Sequence, residues 1–259
     1  MGDDKIIKGI VVSDLHCGHL TGLTPPRYMS DDTRLTQEPL WCWYEEQIQK
    51  IGLVDFVVVN GDSVDGEGKK DTLGHLTTNT LKQAEIAVEA LRIIQTKSFY
   101  MTYGTPYHVA GSYQYEDVVA EKLNARKITD VLRLQCGKTK LNFRHVVGRS
   151  DTAYGQGTPI LKEIIRDMVS SLVNEHDTAD YFVRGHVHYV CVAGIGRKKC
   201  RTTGALQVPE SVYGHKLRPM FYDIGFLELH IFPDGNIHEI DHIMPLKVVT
   251  NYNYEEVKV

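Results

Sequence analysis

The apolar residues of this chain fall into short runs separated by segments whose apolar positions recur at helical spacing, and that alternation limits the fold more than any other feature. Residues 6–12, 56–59 and 98–102 read as buried strands. Between them, 40–51 reads as a helix and 80–94 as another, with Leu81, Ala84, Val88, Leu91 and Ile94 on one face. A helix over about 115–123 leads to strands near 131–135 and 141–147, and Pro159 suits an early position in a helix over 160–173. From Tyr181 onward strand follows strand, at 181–183, 189–195, 200–206, 222–232 and 237–244. Asp234-Gly235 between the last two is a hairpin turn signal, because Gly accepts positive φ. Strands alternating with helices, followed by antiparallel strands, predict an α/β fold with two packed sheets and helices outside. No repeat, low-complexity tract or Pro/Gly/Ser linker divides the chain, so 1–259 reads as a single domain.

A formal charge of -4 argues against a strongly basic nucleic-acid binder, because affinity for a phosphate backbone relies on clustered Lys and Arg. The first residues lack the basic-then-apolar pattern of a signal peptide and no apolar run approaches bilayer length, so the expectation is a soluble cytoplasmic protein with no membrane partner. Cys17, Cys42, Cys136, Cys191 and Cys200 include no C-x-x-C pair, which predicts buried or idle thiols rather than disulfides or a thiolate zinc site. The 12 histidines are another matter: several stand beside Gly or Asp at the ends of apolar runs, more than structural use would predict.

Ser13-Asp14-Leu15-His16 closes the first run. In extended chain the side-chain period is two, so Asp14 and His16 project to one side, although a helix-capping Asp beside a surface His fits the same residues. Asn60-Gly61-Asp62 follows a second buried run and places a carboxylate where open α/β sheets build their sites; alone, it also reads as a turn. Gly185-His186-Val187-His188 ends a third, and two imidazoles at spacing two on a strand end are better explained by a metal than by packing. His145 ends a fourth run, and as a lone strand His it gains interest only from this company.

Taken in order, Asp-x-His, Gly-Asp, a Gly-containing loop with His, a lone His and Gly-His-x-His resemble the calcineurin-like metallophosphoesterase pattern over about residues 6–244. The segments Asp14-Leu15-His16-Cys17-Gly18-His19 and Gly22-Leu23-Thr24-Pro25-Pro26 are similar to the branch often carried by phages and prophages, which would place the protein in a host cytoplasm. The resemblance implies a four-layer αββα sandwich of two mixed β-sheets flanked by helices, with a dinuclear site at one edge. It implies two divalent cations, drawn from Mn, Fe, Zn, Ni or Co: Asp14, His16 and His188 on one, His145 and His186 on the other, and Asp62 bridging both.

The pattern departs from the family in one place. Gly104-Thr105-Pro106-Tyr107-His108 stands where the family has Gly-Asn-His-Asp/Glu, so Thr105 replaces an Asn ligand with a weaker hydroxyl. His108 comes three residues after Thr105 rather than one; it is assigned as the catalytic His by proximity, against a plain surface-loop His. Asp65 reads either as a partner for the second nitrogen of a liganding His or as a turn cap. His19 and His75 lie in Gly-containing loops that could line the same cleft. The implied chemistry is phosphoester hydrolysis by a hydroxide bridging the cations, with His108 as acid or phosphoryl stabiliser. A phosphodiesterase on nucleotides or nucleic acid is the favoured substrate class, by fold-level analogy, ahead of a phosphomonoesterase or protein phosphatase. The rivals are a non-catalytic interaction module on the same fold and a metal-dependent amide hydrolase. Arg197-Lys198-Lys199-Cys200-Arg201 reads as a solvated hairpin turn rather than a phosphate-binding patch. Oligomeric state is not legible in these patterns.

Overall fold

The computed structural model describes residues 5–67, 74–106, 115–150, 152–174, 176–209 and 222–245. In chain order the elements are β1 (Ile7–Val12), α1 (Asp31–Ile51), β2 (Phe56–Asn60), α2 (Thr80–Arg92), β3 (Phe99–Thr102), α3 (Tyr115–Lys122), β4 (Ile128–Thr129), β5 (Leu132–Cys136), β6 (Thr139–Arg144), α4 (Gly157–Asn174), β7 (Tyr181–Arg184), β8 (Val192–Ile195), β9 (Lys198–Thr202), β10 (Gly225–Ile231) and β11 (Ile237–Ile243). Every residue of β2 and of β7 is buried, as expected of central parallel strands covered on both faces.

The first sheet has the order β11-β10-β1-β2-β3-β4 and the second β5-β6-β7-β9-β8. β1 to β4 run parallel, with β10 and β11 antiparallel beside them. In the second sheet β6, β7 and β9 are parallel, and β5 and β8 are antiparallel edges. Strand alternation then sets the layers. Val11, Phe56, Val58, Leu227 and Leu229 face Leu141, Phe143, Tyr181 and Val183 across the space between the sheets. Ile10, Val12, Val57 and Val59 point the other way, into a core with Leu40 and Tyr44 of α1 and Ala84 and Leu91 of α2. On the far side α4 lays Ile160 and Ile164 on Phe182 and Cys200. The architecture is the expected αββα sandwich of two mixed sheets.

Several boundaries move. α1 begins at Asp31, well before the expected start, because Ser30 and Thr33 form a capping box and the helix continues through Pro39. β8 starts only at Val192, since Thr202 draws the preceding chain aside: its Oγ1 donates to Tyr189 O at 2.5 Å and accepts from Cys191 N at 2.9 Å. β4, two residues long, is too short to carry a periodic signal. All five cysteines are free thiols, three of them buried. Among the described residues no helix is long and apolar enough to cross a membrane.

Of the basic run only Arg197 lies in the exposed hairpin turn between β8 and β9; the rest belongs to β9. Lys198 Nζ donates to Thr178 Oγ1 and Ala179 O at 2.7 and 2.6 Å, and Lys199 pairs with Glu239 at 2.7 Å. Arg201 is 1% exposed and reaches from β9 of one sheet to Glu239 and Asp241 on β11 of the other. Lys199 and Arg201 find acidic partners because β9 packs beside Glu239 and Asp241 of β11.

Candidate metal centre

The parallel strands β1, β2, β3, β6 and β7 all deliver their C-terminal ends to one edge of the sandwich, the usual position of a site in sheets of this kind. The register that sets Val12 opposite Val59 carries forward into the loops: Asp14 N donates to Gly61 O at 3.1 Å and His16 N to Asp62 O at 3.0 Å. In the second sheet Gly185 N donates to His145 O at 2.9 Å. Two close approaches leave room only for glycine. A Cβ on Gly185 would stand 2.2 Å from Ser13 Oγ and 2.8 Å from His145 Nδ1, and one on Gly61, at φ 80°, would stand 2.4 Å from the His145 ring.

Two groups of donor side chains result: Asp14, His16 and His188, and Asp62, His145 and His186. Each takes members from both sheets. The histidines of Gly-His-x-His do not share a face; they part, one to each group. Neither pair lies in extended strand: β1 ends at Val12, before Asp14 and His16, and β7 at Arg184, before His186 and His188. Of the six described non-glycine residues with positive φ, five are Asp14, His16, Asp62, His186 and His188. Left-handed backbone, at about 1–3 kcal/mol for each non-glycine residue, is what aims these side chains inward.

In the first group His16 Nε2 lies 3.4 Å from His188 Nε2, and Asp14 Oδ1 lies 3.1 Å from His188 Nε2 and 4.0 Å from His16 Nε2. In the second, His145 Nε2 lies 2.9 Å from Asp62 Oδ2 and, toward the other group, 3.8 Å from Asp14 Oδ1. Donors about 2.1 Å from one cation stand about 3.0 to 3.4 Å apart at octahedral or tetrahedral angles. Most of these separations fit that edge length.

Partners outside the groups fix the ring nitrogens. His145 Nδ1 stands 2.7 Å from Asn60 O, so it carries a proton and Nε2 faces inward toward the Asp62 and Asp14 carboxylates. That Nε2 is buried and makes no hydrogen bond. His16 Nδ1 is 3.0 Å from Asp65 Oδ1, and Asp65 Oδ2 is 3.0 Å from His75 Nε2. His19 bridges to His75 through backbone pairing, with the rings edge to face at 6.3 Å, and Thr21 N donates to its Nδ1 at 3.1 Å. Thr105 contributes to the centre through Asp62: its amide donates to Oδ1 at 2.6 Å, and its hydroxyl lies 3.1 and 3.2 Å from the two carboxylate oxygens. His108 lies outside the described residues.

Electrostatics agree with a site built for positive charge. Burial would raise the Asp14 carboxyl, but the His145 and His188 imidazoles hold it well below the usual carboxylate range. Burial opposes charge on His145, yet the Asp62 and Asp14 carboxylates push it up to about 10. Burial, then the neighbouring His145, lowers His186. Two buried carboxylates thus draw positive charge, and they stand in donor groups that could hold a metal ion.

Glu116 was invisible to motif reading. It is buried in the first turn of α3, and its Oε1 accepts from Ser63 N and Oγ at 3.1 and 3.0 Å while its Oε2 accepts from Gly104 N at 2.6 Å. In sequence it is one more acid at a helix start, and only the meeting of two loops gives it a role.

No family model matches the chain, and no curated protein does. Among solved structures it is similar to wild-type Vps29 complexed with Zn²⁺ from Entamoeba histolytica, at 12% identity over 92% of this chain and 99% of that one, with a TM-score of 0.47. It is similar to an archaeal phosphodiesterase at 12% identity over 91% and 100%, with a TM-score of 0.45. The phosphoesterase Yfce from E. coli stands at 13% identity over 90% and 98%, with a TM-score of 0.43.

Proposed function

We propose that the protein is a phosphoester hydrolase working with two divalent cations, one held by Asp14, His16 and His188, the other by His145 and His186, with Asp62 shared. The observation that carries this reading is His145 Nε2, buried without a hydrogen bond between the carboxylates of Asp62 and Asp14, at the border where the two donor groups meet. Buried carboxylates converging with imidazoles are costly unless positive charge stands among them, and side chains that group into two donor trios suit metal ions. Bound cations of this kind supply Lewis acidity toward phosphoryl oxygens and lower the pKa of water.

The chain's own residues prepare that chemistry. Asn60 O and Asp65 take the Nδ1 protons of His145 and His16, which leaves both Nε2 atoms to point inward. Thr105 keeps the Asp62 carboxylate turned toward the centre. His108 is proposed as the group that protonates the leaving oxygen, a contribution of about 10²- to 10⁴-fold. The proposed substrate is a phosphodiester of the nucleotide or nucleic-acid class, ahead of a phosphomonoester or phosphoprotein.

Elemental analysis coupled to hydrolysis of bis(p-nitrophenyl) phosphate and p-nitrophenyl phosphate with added Mn²⁺ tests the reading. Wild type is expected to bind metal and cleave the diester faster. Asp62→Asn is expected to lose at least one equivalent of metal, and full retention with unchanged turnover would contradict the shared role. Undiminished turnover by His108→Asn would remove that residue from the mechanism. One observation favours a second reading, a non-catalytic module: Thr105 is committed to Asp62 and adds no ligand of its own. Metal binding with inertness to both esters would select it.

A further inference from the structure

His75 belongs to neither donor group, and its side chain is 3% exposed, so it is closed to substrate rather than lining a cleft. Neither of its ring nitrogens makes a hydrogen bond, and a buried polar group left that way costs about 1–3 kcal/mol. The group within its reach is Asp65. His75 Nε2 stands 3.0 Å from Asp65 Oδ2, while Oδ1 of the same carboxylate stands 3.0 Å from His16 Nδ1. At that separation only the direction of the His75 N–H falls short of a hydrogen bond. The backbone brings the two together without help from the imidazole. Leu20 N donates to Gly74 O and Leu76 N to Gly18 O, both at 2.8 Å, which pairs the His75 loop with the loop after His16. Gln83 of α2, fully buried, donates from its amide to Thr77 O at 2.8 Å and to Gly66 O at 2.9 Å, and accepts from Gly66 N at 2.8 Å. Gly66 follows Asp65 and Thr77 lies two residues beyond His75, so one side chain sets how far the carboxylate stands from the imidazole.

We propose that His75 is a positioning residue for the metal centre: it steadies Asp65 at Oδ2 so that Oδ1 meets His16 Nδ1, which keeps His16 Nε2 turned toward Asp14 and His188. A carboxylate held at one oxygen can still swing about its Cβ–Cγ bond, and a second imidazole on the other oxygen removes that freedom. The effect passes through Asp65, because His75 supplies no donor of its own to either group. The inference rests on the reading of Asp14, His16 and His188 as ligands of one cation, and it extends that site by one residue beyond the partner that touches a ligand.

Titration of the metal-free full-length protein with Co²⁺, followed by visible absorption, tests this, because the spectrum responds to ligand set and geometry. His75→Leu fills the space without an N–H, with His75→Ala in its place should Leu not fit, and His75→Gln keeps a donor for Asp65. Loss of the donor is expected to weaken Co²⁺ binding at least about threefold, short of the 10- to 100-fold usual when a direct outer partner goes, and Gln should restore it to within about twofold. Asp65→Ala is expected to show that larger loss, and adding His75→Leu to it should change nothing further, since the imidazole acts through the carboxylate. Wild-type affinity and spectrum in His75→Leu would overturn the proposal, even where that variant unfolds at lower urea, because His75 would then only fill space. A Gln variant no better than Leu would overturn it, as would a Leu effect that persists in full beside Asp65→Ala. Wild type that takes up no Co²⁺ would overturn the metal reading and this inference with it, whereas wild-type uptake with an indifferent His75→Leu would remove this inference alone.

Discussion

Glu116 holds two loops that arrive from different strands, and its chemistry makes an exacting test. A carboxylate can accept from Ser63 and from Gly104 at once; the amide of Glu116→Gln has one oxygen and must turn N–H toward N–H on one side. We expect Glu116→Gln to lose about 1–3 kcal/mol of stability in urea unfolding and to bind metal more weakly. A variant indistinguishable from wild type in both would sink the assignment. Thr105 invites a paired comparison: Thr105→Ser keeps the hydroxyl on Asp62, whereas Thr105→Val removes it and should weaken metal binding about 10- to 100-fold, as loss of an outer partner usually does. Equal affinities for the two variants would show that the hydroxyl is idle. That Asp14, His16, Asp62, His145, His186 and His188 would meet was legible because each follows an apolar run in an order that is hard to meet by chance. Glu116 and the working contact of Thr105 were not, since both depend on which loops meet.

Among the elements, strands and helices were legible in type and order, and the errors are local. A capping box extends α1, and the side chain of Thr202 shortens β8. The loops after β1 and β7 show a deeper limit. Periodicity describes extended chain, but Asp14, His16, His186 and His188 stand in left-handed backbone beyond the strand ends, so no period two applies and the two imidazoles of one motif separate. Gly185 stands at the close approach of the two sheets just before them. Gly185→Ala would push a methyl into Ser13 Oγ and His145, and we expect it to empty the centre of metal while the helical content stays close to wild type. Native metal content and native thermal stability together would show that the loop adapts.

At the scale of the molecule the two-sheet sandwich was foreseen from strand order, whereas the inter-sheet tie through Arg201 was mistaken for a surface turn, because burial of a charged residue leaves no mark in a local pattern. Arg201→Ala leaves Glu239 and Asp241 without their buried partner and should cost about 3–5 kcal/mol in denaturant unfolding with metal content unchanged. A loss below about 1 kcal/mol would place that pair in water. The other tie lies at the far reach of the strands. Because each donor trio takes residues from both sheets, an ion bound there would act as a rivet through the seam, and chelation would loosen the fold itself. At a hundredfold excess over Kd such a rivet contributes about 2.7 kcal/mol, so stripping it should lower the melting temperature and let amide protons next to Gly61 and Gly185 exchange while the helix cores stay protected.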